Sequence, residues 1–399
     1  MLEVVTASEA EKIIMDCTNA ETAAEIVPLQ EAFGRFSAED VCAQEDLPAF
    51  SRSSVDGYAL KAADTYGCSE SIPAMLSYDE EILMGETPDS VLQNGSCFKI
   101  PTGGRLPEGA DAVCMLEYSD DIGDEFRYFY KPVSAYENVI RQGEDCRIGE
   151  IVLKKGTRIG SKNIAILAAL GITEVAVAKK IRIGVISTGD ELIPFGNKPR
   201  KAQIRDINSV MLAAQIAELG AEAVIYPIVK DVRPELLTCV RRALDECDMV
   251  CISGGSSAGE KDSTLWVLEE LGEVKFHGIS IKPGKPTLFA VADGKQIFGL
   301  PGHPQAAYMI FRLFAAPAIL KKSFCVESRT VMKLKVTQNI PSNHGREEIV
   351  PVMICGDEAT PVRSKSGVVS ILSRSDGYLI IDRNTEGLAK GAVADVYLF

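Results

Sequence analysis

The 399-residue chain has few of the residues that most often build zinc centres and nucleophile relays. It holds three histidines, His277, His303 and His344, and its eleven cysteines include no CxxC pair, the nearest being Cys247 and Cys251. That scarcity argues against a Cys/His metal site and against a nucleophile–histidine arrangement. A basic excess is also missing: 42 lysines and arginines face 56 acidic residues, a net charge of −14, so no nucleic-acid partner is expected. An anion site, if present, must be built locally from a few cations, backbone amides or a bound metal. No apolar run is long enough to span a bilayer. MLEVVTASEAEKII lacks a basic region followed by an apolar stretch, so the expectation is a cytoplasmic protein with reduced thiols and no membrane partner. The P-loop lysine is absent as well. Gly254 and Gly259 have the GxxxxGK[ST] spacing, but Glu260 stands at the lysine position, which disfavours a Walker-type ATPase.

What is present is the composition of a globular protein, 46% hydrophobic and 25% charged, in a chain long enough for two to four domains. Ser8-x-x-Glu11 reads as a capping box ahead of a helix through Ile14, and VPLQEAFGRFSAEDV as a second helix ending near Gly34. Short strand-like runs divided by Gly, Asp and Ser fill Pro48 to Pro132, a β-rich domain, and helix returns over Lys162 to Gly171. From Ile181 strands and helices alternate (IRIGVIS, NSVMLAAQIAELG, AEAVIYPIV, PELLTCVRRALDEC, DMVCISG, STLWVLEELG), predicting a parallel sheet covered on both faces. In the tail, VMKLKV sets Met332, Leu334 and Val336 inward and Lys333 and Lys335 outward, which with YLIID and VADVYLF predicts a small barrel or sandwich.

Ligands of such sheets bind beyond the carboxyl ends of the strands. Two loops fall there: STGDEL (Ser187–Leu192) and SGGSSAGEKDST (Ser253–Thr264), whose glycines let backbone approach a phosphate. Glu260 and Asp262 would repel that phosphate unless Mg²⁺ lay between them; Asp262 is equally a cap for the following helix. Lys282 and Lys285 flank a Pro-Gly turn in KPGKP, and LPGHP precedes a helix. In PAFSRSSVDGYAL, Asp56-Gly57 is a hairpin signal, with Asp56 a turn carboxylate on that reading.

Taken in order, PAFSRSSVDGYA, IPTGGRLPEGADAV, RQGEDCRIGE, ISTGDEL, SGGSSAGEKD, KPGKP and LPGHP resemble the molybdopterin molybdenumtransferases, relatives of the C-terminal part of gephyrin, over nearly the whole chain. The resemblance implies a multidomain α/β plus β fold: a discontinuous helical domain (1–45 and 139–177), an inserted β-rich domain (46–138), a parallel α/β molybdopterin-binding domain (178–324) and a C-terminal β-barrel (325–399). It implies insertion of molybdate, or tungstate, into adenylylated molybdopterin with release of AMP and help from Mg²⁺, in a homodimer whose active site is shared between chains. Carried over residue by residue, Asp56, Thr102, Asp145, Glu191, Asp231, Asp262 and Lys282 become the catalytic set. Arg105, Thr188, Gly254, Gly255, Ser256, Lys285, Pro301 and Pro304 become substrate-binding, and Asp262 and Glu191 metal-binding. The chain departs from the family's usual pattern at Ser51, TGGRLP, Gly278, His303 and Gln305. Two other readings of the loops are a nucleotide-dependent transferase without a pterin and a non-catalytic pterin-binding scaffold.

Overall fold

The computed structural model describes residues 4–18, 22–88, 90–254, 263–325, 329–362 and 367–399. Its first helix, Ala7–Asp16, is capped two residues before the expected cap, Ser8. Thr6 is the N-cap: its hydroxyl accepts from the Glu9 amide at 3.2 Å, and Glu9 Oε2 accepts from the Thr6 amide at 2.8 Å. Two Ser/Thr-x-x-Glu patterns overlap here, and the earlier one captures the helix end.

The expected helix over VPLQEAFGRFSAEDV does not form. Ala24–Pro28 is a strand paired antiparallel with Glu174–Ala178, followed by a single 3-10 turn at Leu29–Glu31. Val27 and Leu29 pack with Val175, Val177 and Leu167 of the helix Ser161–Ala169, so distant chain supplies the partner that decided for strand.

In the N-terminal third, six strands lie in the order Ala112–Met115, Gly57–Leu60, Ser96–Ile100, Ala74–Glu81, Phe126–Phe129, Ser119–Asp120. Asp56-Gly57 is not a hairpin turn. Arg52–Ser53 pairs with Val139–Ile140, whereas Gly57–Leu60 pairs with two other strands. The glycine is required for close approach instead: a Cβ on Gly57 would stand 2.0 Å from the Cys114 carbonyl oxygen.

The α/β region holds four parallel strands, Glu222–Ile225, Arg182–Ser187, Met249–Ser253 and Lys295–Leu300, extended at one edge by antiparallel Leu288–Ala292 and Glu273–His277. All five residues of Met249–Ser253 are buried, as a strand covered on both faces demands. One face packs Leu212, Ile216 and the helices after Pro304, together with Ala10 and Ile14 of the first helix. The other packs Leu236, Val240, Val267 and Leu268.

In the C-terminal region Glu347–Cys355, Glu358–Pro361, Val331–Val336, Val393–Leu398 and Gly377–Ile381 close on themselves, because the first of these also pairs with the last. Leu334 and Val336 point inward as expected, but Met332 is 37% exposed, since inward packing starts only one alternation later. A short strand of the α/β region, Ile281–Lys282, runs parallel to Glu347 and Glu348 at this barrel's edge.

Candidate active site

A cavity of about 980 Å³ opens at the carboxyl ends of the parallel strands, between the α/β region and the barrel. Thr188 follows the strand Arg182–Ser187 and is 2% exposed; its hydroxyl donates to Asp231 Oδ1 at 2.6 Å, aiming that exposed carboxylate at the cavity wall. The Asp231 carbonyl in turn accepts from Ser263 Oγ at 3.3 Å, at the start of the next helix. Gly254 has φ +106°, and a Cβ there would meet the Thr188 carbonyl oxygen at 2.1 Å, so only glycine lets the two loops touch. Glu191 lies on the same cavity, its carboxylate folded back over Gly189.

The opposite wall is cationic. Lys282 and Lys285 line it from KPGKP, joined by Arg346 and Glu348 of the barrel. Lys282 Nζ stands 2.8 Å from Glu348 Oε1. Pro301, Gly302 and His303 form a further rim, and Pro304 opens the helix Pro304–Ile310 without itself reaching the cavity. Beneath the rim, Asn208 Nδ2 donates to both Ser253 Oγ and the Gly302 carbonyl at 2.8 Å, tying the glycine loop to LPGHP. Asn208, Arg346 and Glu348 escaped the sequence reading. Asn208 follows no loop motif, and Glu348 reaches the cavity only through strand register.

Four expected site residues lie elsewhere, in a cluster woven mainly by backbone. Asp56 Oδ1 accepts from the Thr102 amide at 2.7 Å and from its hydroxyl at 3.0 Å. These two bonds, the amide's first, hold the Asp56 carboxyl below its ordinary value although it is fully exposed. Ser53 Oγ donates to the Val55 carbonyl at 2.5 Å, bracing the turn; Ser54 contributes its amide, to the Asn138 carbonyl. Gly103 and Gly104 bond the two backbone groups of Ser53, and Arg105 bridges to Arg52 while its guanidinium lies over the Phe50 ring. The RQGED loop folds onto the same segment: Asp145 donates its amide to the Leu47 carbonyl, Gly143 to Pro48, and Gln142 to Ser51 Oγ. Asp56 and Thr102 thus touch each other, Arg105 and Asp145 attach to the same 47–56 segment, and none of the four lines the cavity. Gly255, Ser256 and Asp262, with Glu260, lie outside the described residues.

Fold and site define a multidomain α/β protein with a cation- and carboxylate-lined cavity at its strand ends. Three family descriptions match in succession: "MoeA N-terminal region (domain I and II)" over residues 5–171, "Probable molybdopterin binding domain" over 184–321, and "MoeA C-terminal region (domain IV)" over 333–399. A putative molybdopterin biosynthesis protein of Methanocaldococcus jannaschii is 40% identical over 93% of this chain and 91% of its own. The molybdopterin molybdenumtransferase of Bacillus subtilis is 32% identical over 94% of this chain and 89% of its own. The crystal structure of a molybdopterin biosynthesis protein of Pyrococcus horikoshii superposes with a TM-score of 0.89 at 33% identity, covering 99% of this chain and 100% of that one. The chain belongs to the molybdopterin molybdenumtransferase family.

Proposed function

We propose that this transferase of molybdenum cofactor biosynthesis inserts molybdate at the dithiolene of adenylylated molybdopterin and releases AMP by cleaving the pyrophosphate. The observation that carries the reading is a cavity lined by Lys282, Lys285 and Arg346 together with Glu191 and Asp231. The cations offset charge on phosphate and oxyanion, and Thr188 fixes the direction of one carboxylate. Its volume fits a ligand larger than a simple oxyanion.

The carboxylates bear on a metal. Among the described residues no three His, Cys, Asp or Glu side chains cluster as a complete ligand set. Mg²⁺ needs no such set, since it takes one or two carboxylates and completes its shell with water and substrate phosphates. Glu191 and Asp231 are hard oxygen donors on the wall of the cavity and fit that ion; Asp262 is the further donor proposed from the sequence. Bound there, Mg²⁺ would neutralise charge on the pyrophosphate oxygens.

The working unit on this reading is a twofold homodimer in which Asp56 and Thr102 of one chain complete the cavity of the other. Support comes from the exposed, pre-shaped Asp56–Thr102 pair, which is absent from the cavity of its own chain. The four-part division at 45, 138, 177 and 324 and a cytoplasmic location belong to the same proposal. No helix among the described residues is long and apolar enough to cross a membrane. Purified protein incubated with adenylylated molybdopterin, Mg²⁺ and molybdate should release AMP, and EDTA should abolish that release. Substrate binding without AMP release would identify a scaffold instead, and undiminished release in EDTA would remove the metal.

A further inference from the structure

Lys282 and Glu348 are direct register partners on adjacent parallel strands, and their side chains meet at 2.8 Å. Glu348 is held from a second side, because its Oε2 accepts from Ser342 Oγ at 2.9 Å. Its side chain is 16% exposed and that of Lys282 47%, so the acid is the fixed partner and the lysine the movable one. Both line the cavity, with Lys285 and Arg346 as its other cations. One of the three positive charges is therefore already neutralised, by an acid delivered from the barrel.

We propose that Glu348 is a charge gate that sets which anions the cavity accepts. It acts through Lys282 and is a specificity-determining, positioning residue. A small anion such as inorganic phosphate must take the ammonium from a carboxylate that strand pairing keeps in place. A pyrophosphate reaches several cations together and displaces the carboxylate at the same cost spread over more contacts. The gate thus favours an extended polyanion over the free phosphate present in any cell. The inference rests on the proposed anion-binding role of the cavity.

Glu348→Gln tests it, since the amide keeps the size, the strand pairing and the contact with Ser342 while losing the charge. Calorimetric titration with inorganic phosphate, without substrate or metal, should show binding about fivefold tighter than in the unaltered protein, the scale of a half-exposed ion pair. Structural damage would weaken binding, so tightening separates the gate from a merely structural role. In a Lys282→Ala background the same substitution should give little or no tightening. Unchanged or weaker phosphate binding in Glu348→Gln overturns the gate. So does a fivefold gain that persists without Lys282, which would reveal only a diffuse field effect. The two readings fail separately: AMP release together with an unaltered phosphate affinity in Glu348→Gln defeats the gate alone, and the predicted tightening without AMP release defeats the transferase reading alone.

Discussion

In the cavity, polar and charged side chains from distant parts of the chain hold one another, Thr188 with Asp231 and Lys282 with Glu348. Around Asp56 most of the ordering comes from main chain: Gly103, Gly104, Gly143 and Asp145 knit three short loops together, leaving the carboxylate exposed on top. The cavity gathers its charged groups around a volume of about 980 Å³, whereas the Asp56 cluster presents an exposed, pre-shaped acid near a guanidinium. The contrast teaches that the family's motifs are not one site on one chain. PAFSRSSVDG, TGGRLP and RQGED assemble into the exposed cluster, and STGDEL, KPGKP and LPGHP into the cavity. The two clusters are separate on one chain, and the proposed cleft made by two chains would bring them together.

That comparison can be broken first at Asp231. Asp231→Asn should retain the fold but lower AMP release by a factor on the order of 10², the scale of losing one preorganised electrostatic group. Near-normal release would remove the cavity from the chemistry. Thr188→Val is the next largest. It deletes the 2.6 Å bond and leaves Asp231 free to turn, so kcat/KM should fall about tenfold, the size of one hydrogen bond to a charged group. An unaltered kcat/KM would mean that Asp231 needs no orienting.

The smallest effect is expected at the exposed cluster. Thr102→Val removes one of two donors to Asp56 but keeps the stronger backbone one, so the carboxyl should titrate partway back toward its ordinary value. Because the folded value is depressed, the contribution of this contact is present above the unfolded pKa, near 4, and is lost as pH falls through the folded value. Carboxyl carbon NMR of Asp56 reads the shift directly. An unmoved titration would mean that the backbone amide alone sets it.

Much of this arrangement was legible in the residues. The buried run Met249–Ser253 and its neighbours announced a covered parallel sheet, and the loops at its strand ends announced the cavity. Three features were hidden because they depend on partners far along the chain. Val27 chose a strand because Val175 and Val177 offered it an edge. Gly57 serves the close approach of Cys114, so its Asp-Gly signal for a hairpin was misleading. Glu348 enters the cavity through a pairing with Lys282 across 66 residues, which no local pattern encodes.

The measurement that tests the shared cleft most directly is complementation between Asp56→Asn and Asp231→Asn. Each variant alone should release little AMP. In mixed dimers one of the two clefts combines an unaltered Asp231 from one chain with an unaltered Asp56 from its partner. Random pairing makes half of the dimers mixed, so AMP release should recover to about a quarter of the unaltered level in a twofold assembly. Mixed dimers, verified by differently tagged chains, that release no more AMP than the parent variants would contradict the account.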